Sequence, residues 1–315
     1  MEKLKIVFMG TPEFAVGILD EIYKNNYEIV GVITAADKPA GRGQKVKFSA
    51  VKDYALANNL KLLQPTNLKN EDFLQELKSL NANLQVVVAF RMLPEAVWRM
   101  PKFGTFNLHA SLLPNYRGAA PINWAIINGE TKTGVTTFFI DDAIDTGAMI
   151  LSKSIDISEN ENAGQLHDNL MILGQKTVIE TLILIENNDA KTTIQSENSD
   201  LKTAYKLNKD NCKIDFDKSG IEIHNLIRGL SPYPAAWCII KDENQELNVK
   251  VYEASFYSEH HFMKVGTIIT TKKELNIATK DGFLKILNLQ FPGKKRMSAS
   301  DLLNGITFSE KATAS

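Results

Sequence analysis

Cysteine is almost missing from this chain. Cys212 and Cys238 are the only two in 315 residues, and they fall in no CxxC spacing. That argues against a disulfide framework and against a zinc site, and it fits a reducing compartment. Long apolar runs are missing too, and nothing approaches the ~20 residues that a membrane span requires. The opening MEKLKIVFMG meets Gly10-Thr11-Pro12 too soon to be a secretory core segment and reads better as a first strand, so a cytoplasmic protein is expected. Charge of one sign is scarce: 36 Lys and Arg stand against 37 Asp and Glu, a formal net charge of -1. An acidic partner must therefore be met by local basic patches rather than by a global field. Internal repeats and low-complexity tracts are absent as well.

What is present is ordinary globular material, with 44% hydrophobic and 23% charged residues in a length that allows two domains. Short apolar runs alternate with amphipathic stretches from the start. Strands are expected at 4–9, 27–34, 60–63 and 84–90, with helices at 12–24, 49–58 and 70–80. The VVVAF stretch at 86–90 lacks alternation, as a strand buried on both faces does. A doubly wound, mostly parallel α/β sheet follows. TFNLHA after Gly104 continues it, as do 135–140, 149–157 and a helix over 163–185. The first domain is expected to span 1–189. Residues 190–208 are polar, lack periodicity and read as a linker. Beyond them short β-like pieces at 236–240, 247–255, 265–271, 275–279 and 283–290 predict a small, OB-like β-barrel over 209–315.

The first βα turn reads GTPEF, with Thr11 suited to cap the next helix and Pro12 to its first position. It is not GxGxxG, so a dinucleotide site loses its main sequence support. A helix N-terminus there still favours an anionic group.

The central stretch is FNLHASLLP, residues 106–114. On a strand, Asn107 and His109 point to one face. A lone histidine on an apolar strand is usually a satisfied core residue. A second polar group on the same face, at a strand end before a Pro/Gly-rich loop, would need its own partners in a core, and open α/β sheets place ligands at that end. A third element, IDDAIDTG at 140–147, is good turn chemistry; its paired acids lack the spacing of a calcium-binding EF-hand loop. Its Asp145 supplies a carboxylate of the kind that orients a catalytic imidazole. The adjacent His260 and His261 would face opposite sides of a strand, make a poor chelate and read as surface residues.

FMGTPEF, NLHASLLP and IDDAIDTG together resemble the folate-dependent formyltransferases, and within them the branch that acts on methionylated initiator tRNA. The resemblance runs nearly the whole chain, through KPAGRG at 38–43, FRMLP at 90–94, NGE at 128–130, SPYPAAW at 231–237 and FPGKKRMSASDLLNG at 291–305. It implies Asn107, His109 and Asp145 as the catalytic set, and Asp145 joins the other two mainly on this ground. It also implies 10-formyltetrahydrofolate as donor, no metal, and a donor-binding segment of Ser111, Leu112, Leu113 and Pro114 with Phe90 near the pterin. Initiator methionyl-tRNA is the implied partner. Arg42 and Lys45 of the basic loop, with Lys295 and Arg296 of the C-terminal domain, are the implied contacts. A monomer is expected.

The Asn, His and Asp set specifies formyl transfer but not the acceptor. A formyltransferase acting on a sugar-nucleotide amine would share fold, folate and trio yet not need the basic loop. Hydrolysis of formylfolate is a third reading, and a non-catalytic RNA-binding protein on the same scaffold is a fourth.

Overall fold

The structure is a computed structural model and describes residues 2–40, 45–197, 200–243 and 245–315. The chain forms two compact units that do not follow its linear order. The first holds 1–118, 133–155 and 167–203; the second holds 119–132, 156–166 and 204–315. The expected linker is thus divided, with its residues up to 203 in the first unit and the remainder in the second. Among the described residues, no helix is long and apolar enough to cross a membrane.

In the first unit, β1 (Lys5–Gly10) leads into α1 (Glu13–Lys24), then β2 (Glu28–Ile33), the short strands β3 (Lys38–Ala40) and β4 (Lys45–Lys47), and α2 (Ala50–Ala57). These are followed by β5 (Leu62–Leu63), α3 (Glu71–Ser79), β6 (Leu84–Val88), α4 (Glu95–Trp98), β7 (Thr105–His109) and β8 (Arg117–Gly118). The chain passes through α5 (Pro121–Ile127), then β9 (Lys132–Phe139), β10 (Met149–Asp156), α6 (Ala163–Glu186) and β11 (Thr203–Ala204).

The main sheet has the order β10-β9-β7-β6-β1-β2-β5. Neighbours from β5 through β2, β1 and β6 to β7 pair in parallel, and β9 runs antiparallel to β7. The sheet therefore grows to one side of β1 and then switches to the other between β1 and β6, the place where such sheets accept ligands beyond their C-terminal ends. β6 is buried along its full length, as its unalternated sequence predicts.

Two faces of the sheet are covered. α1 buries Phe14, Ile18 and Ile22, a helical stripe, on the face where Leu108 and Ile18 meet Gly174 of α6. Phe73 and Leu77 of α3 and Val97 of α4 pack with Val7, Met9 and Val87 on the other face. Val87 is the register partner of Asn107, so Asn107 and His109 belong to this second face.

Ser49 and Asn70 cap α2 and α3 by accepting from Lys52 N–H and Phe73 N–H. The cap expected at Thr11 is not made. α1 starts one residue later, at Glu13, with Pro12 in the cap position and no side-chain cap bond. The Pro12 carbonyl accepts from Ala15 and Val16, while the Thr11 carbonyl is drawn to Val51 N–H of α2. The strand expected to reach Phe90 stops at Val88 because Ala89 turns into the left-handed region, φ 46°.

The second unit is built on α7 (Gly220–Leu230), β12 (Ala236–Asp242), β13 (Gln245–Ser258), β14 (Ile268–Thr270), β15 (Leu275–Ala278), β16 (Gly282–Gln290), β17 (Met297–Ser298), α8 (Ala299–Leu303) and β18 (Thr313–Ala314). The antiparallel order β14-β15-β16-β13-β12-β18 is brought back next to β14 by an isolated Thr267–Thr313 bridge, which makes the sheet a nearly closed barrel. Cys212 and Cys238 are free and share its apolar core with Ile223 and Ile227 of α7; burial pushes the Cys238 thiol up to about 12. Sequence periodicity did not single out α5 or α7. They pack together here, with Gly229 against Ile127 and Asn123 Nδ2 donating 2.8 Å to the Gly229 carbonyl. Trp124 Nε1 donates 2.7 Å to the Tyr205 carbonyl. His260 and His261 lie beyond the end of β13 rather than on it. His260 is exposed, while His261 is half-buried against the Phe283 ring at 4.5 Å and bonded to the Gly282 carbonyl at 3.0 Å.

Two outcomes follow for stability. His224 of α7 is buried, and desolvation, then the nearby Arg228 charge, lowers its pKa below the ordinary 6.5, against smaller pulls from a bond with the Ala254 backbone and then from Glu159. Its stabilising contribution is present above 6.5 and is lost as pH falls through that value toward the folded one, because the unfolded chain takes up the proton first. Urea midpoints at pH 7.5 and 5.5 should fall more for the native chain than for His224→Gln; equal falls would remove His224 from the account. In the loop after β9, a Cβ on Gly147 would lie 1.7 Å from the Phe139 carbonyl oxygen. Gly147→Ala is expected to cost about 2–3 kcal/mol in urea unfolding.

Candidate active site

β7 ends at the C-terminal edge of the sheet, and its alternation puts Asn107 and His109 on one face. His109 is 6% exposed, and its Nε2 lies 2.8 Å from the Tyr116 carbonyl oxygen. A carbonyl only accepts, so Nε2 must carry the hydrogen. In the neutral ring Nδ1 is then the basic nitrogen. Nδ1 lies 3.8 Å from Asp145 Oδ2, within ion-pair reach and beyond a hydrogen bond. The ring is thus aimed by the main chain of Tyr116, and the carboxylate faces its free side.

Asn107 is half-buried, and its Oδ1 is buried with no hydrogen-bond partner among the described residues. An unmet buried acceptor costs about 1–3 kcal/mol, which an incoming N–H would recover. Such an atom at the ligand-accepting edge of an α/β sheet fits a substrate contact better than a core role.

Asp145 lies in the loop between β9 and β10 with φ 57°. Its Oδ2 accepts from Gly118 N–H at 2.9 Å, and its own carbonyl accepts from Gln195 Nε2 at 2.8 Å. Thr146 Oγ1 donates 2.7 Å to Asp141 Oδ1, which tightens the same loop. The loop is therefore braced by β8 and by a residue from the segment after α6.

The expected donor-binding residues divide by what their atoms do. Ser111 is fully buried, and its hydroxyl donates 2.7 Å to the Asn115 carbonyl. Its carbonyl accepts from Thr136 Oγ1 at 2.8 Å, and Thr136 Oγ1 accepts from Leu113 N–H at 3.2 Å. In this arrangement Ser111 shapes the loop, Leu113 is buried, and Leu112 and Pro114 are half-buried. Phe90 is half-buried after β6, at the same sheet edge as the loop after the parallel neighbour β7.

The expected nucleic-acid contacts are more scattered. Arg42 lies outside the described residues. Lys45 is on β4, in antiparallel register with Ala40 of β3. Lys295 and Arg296 are exposed ahead of β17; the Arg296 guanidinium lies 4.7 Å over the Tyr252 ring and 3.9 Å from Glu253.

Tyr116, Arg117, Gly118 and Gln195 were not singled out by the sequence, because three of them act through main-chain atoms or through other residues. A family model described as formyl transferase matches residues 4–182, and one described as formyl transferase, C-terminal domain, matches 206–307. The chain is 73% identical over 312 residues to a methionyl-tRNA formyltransferase of Flavobacterium johnsoniae, covering 99% of each. It is 50% identical to the protein of the same name from Bacteroides thetaiotaomicron, covering 98% of each. Among solved structures, a sugar 3N-formyl transferase crystallised in the presence of dTDP and 5-N-formyl-THF matches at 26% identity with a TM-score of 0.65, over 94% of this chain and 100% of that one. On the family match to its N-terminal part and on full-length identity to curated relatives, the chain belongs to the methionyl-tRNA formyltransferase family.

Proposed function

We propose that the chain transfers the formyl group of 10-formyltetrahydrofolate to the α-amine of methionine esterified to initiator tRNA, in the cytoplasm and as a monomer. The observation that carries this reading is the unmet Asn107 Oδ1 beside His109, whose ring is fixed with Nδ1 as its basic atom. The names of the full-length relatives support the acceptor, and the folate in the similar sugar formyl transferase supports the donor.

The donor supplies a formyl carbon on a nitrogen that can leave. A free α-amine has a pKa of about 8, so a useful neutral fraction exists near pH 7 without a strong base. Asn107 Oδ1 accepts an N–H of the incoming amine and orients its lone pair. The Asn107 amide N–H donates to the formyl oxygen as negative charge develops there. His109 Nδ1 takes the proton that the amine loses when its bond to the formyl carbon forms, and returns it to the departing folate nitrogen. Asp145 favours the charged imidazole between those two transfers. Residues 1–189 carry this chemistry in the proposal. Phe90, Ser111, Leu112, Leu113 and Pro114 bound the donor, and 209–315 with the basic segment around Arg42 engages tRNA through Arg42, Lys45, Lys295 and Arg296.

The test is a formyl-transfer assay with formylfolate and methionylated initiator tRNA, run beside an amino-sugar nucleotide. Transfer to the tRNA alone is expected; transfer to the sugar alone would overturn the acceptor. His109→Ala should lower kcat by about 10²–10⁴ and Asn107→Ala by about 10²–10³, with tRNA affinity within a few fold. A native rate in either variant would overturn the chemistry. Arg42→Ala should weaken tRNA binding and reduce the salt slope by about one; an unchanged slope would remove Arg42 from the phosphate contacts.

A further inference from the structure

Gln195 stands in a polar, non-periodic stretch that reads as linker, yet its side chain is only 5% exposed. Its Nε2 donates to the carbonyls of Asp145 and Gly147, each at 2.8 Å. Its Oε1 accepts from Arg117 Nε at 3.0 Å and from Arg117 Nη2 at 2.8 Å. An amide has two N–H donors and two acceptor positions, and all four are used here. A guanidinium only donates and a carbonyl only accepts, so the amide can face only one way.

What this amide holds is the main chain on which Asp145 stands. At φ 57° Asp145 occupies backbone space that an L-residue visits at a cost, and such a conformation persists only where its surroundings enforce it. Gly118 N–H fixes the carboxylate at 2.9 Å, Gln195 fixes the carbonyl, and Arg117 fixes Gln195. Arg117 and Gly118 are consecutive, so one short strand secures both the main chain and the side chain of Asp145.

We propose that Gln195 and Arg117 are positioning residues for Asp145, setting the distance between its carboxylate and His109 Nδ1 during formyl transfer. This rests on the proposed role of Asp145 in that reaction. The pair touches the reacting groups only through Asp145. Its loss should therefore slow turnover and leave substrate binding alone.

Gln195→Glu separates this role from mere space-filling. Glutamate is nearly isosteric and keeps its acceptor toward Arg117, but it presents oxygen to two carbonyl oxygens. If Gln195 only fills space, this variant keeps the native rate. If it positions Asp145, kcat falls by about 10- to 100-fold, while KM for formylfolate and for methionyl-tRNA stays within about threefold of native. Arg117→Lys, which keeps the charge and loses the two-pronged contact, should lower kcat in the same sense by about 3- to 10-fold. It serves as the deciding variant if Gln195→Glu does not fold, as judged by its circular dichroism melt. A kcat within threefold of native for Gln195→Glu, or for Arg117→Lys where the glutamate variant is unfolded, overturns the proposal. So does a loss confined to KM. Asp145→Asn, assayed alongside, keeps the two failures apart. A slow Asp145→Asn with a native-rate Gln195→Glu sinks this inference alone, whereas a native-rate Asp145→Asn sinks the role of Asp145 itself.

Discussion

A histidine whose Nε2–H is committed to a main-chain carbonyl has a single nitrogen left for chemistry, and here that commitment is the 2.8 Å contact between His109 and the Tyr116 carbonyl. The rest of the site is arranged around it. Tyr116 sits at φ 61°, buried, and its own N–H donates 2.5 Å to the Lys202 carbonyl. The next two residues reach Asp145, Gly118 directly and Arg117 through Gln195. Three consecutive residues thus brace the imidazole on one side and the carboxylate on the other. Neither group can be moved without disturbing the segment they share. Pre-organisation of this kind is what lets donors and acceptors act on charge that appears only during the reaction.

The sheet supplies the fixed frame. Asn107 and His109 stand on a strand paired on both sides, to β6 and to β9, so their separation is set by strand geometry rather than by loop conformation. Asp145 comes from a loop, and loops hold position only through specific bonds. That contrast explains why the main chain beneath the carboxylate needs a brace and the main chain beneath the other two does not. It also explains why residues remote in sequence, such as Gln195, belong to the site.

Legibility in the sequence followed the same division. Period-two alternation placed Asn107 and His109 on one face, and unalternated apolar runs marked β6 as a strand covered on both sides. The barrel was legible from closely spaced β-like pieces. The brace was not, because the contributions of Tyr116 and Gly118 come from the backbone, whose identity no side chain advertises. Gln195 lay in a stretch without periodicity, and a buried amide there looks like any other glutamine in a polar run. The assignment of α5 to the second unit was hidden as well, since contact between α5 and α7 joins segments about a hundred residues apart, as in the Asn123 bond to Gly229. The helix start at α1 was misread by one residue because the Thr11 carbonyl had a tertiary partner in Val51 that local cap chemistry does not foresee.

The central claim is that the end of β7 is where the formyl group is held, with the Asn107 amide as its nearest polar contact. A crystal structure of this chain with 5-formyltetrahydrofolate, a stable relative of the proposed donor, tests it most directly. The account predicts the pterin end of the folate bounded by Phe90 and the 111–114 segment, with an ordered water bonded to Asn107 Oδ1 where the acceptor amine would lie. Folate bound away from the C-terminal edge of β6 and β7, with Asn107 Oδ1 still unpartnered, would contradict it.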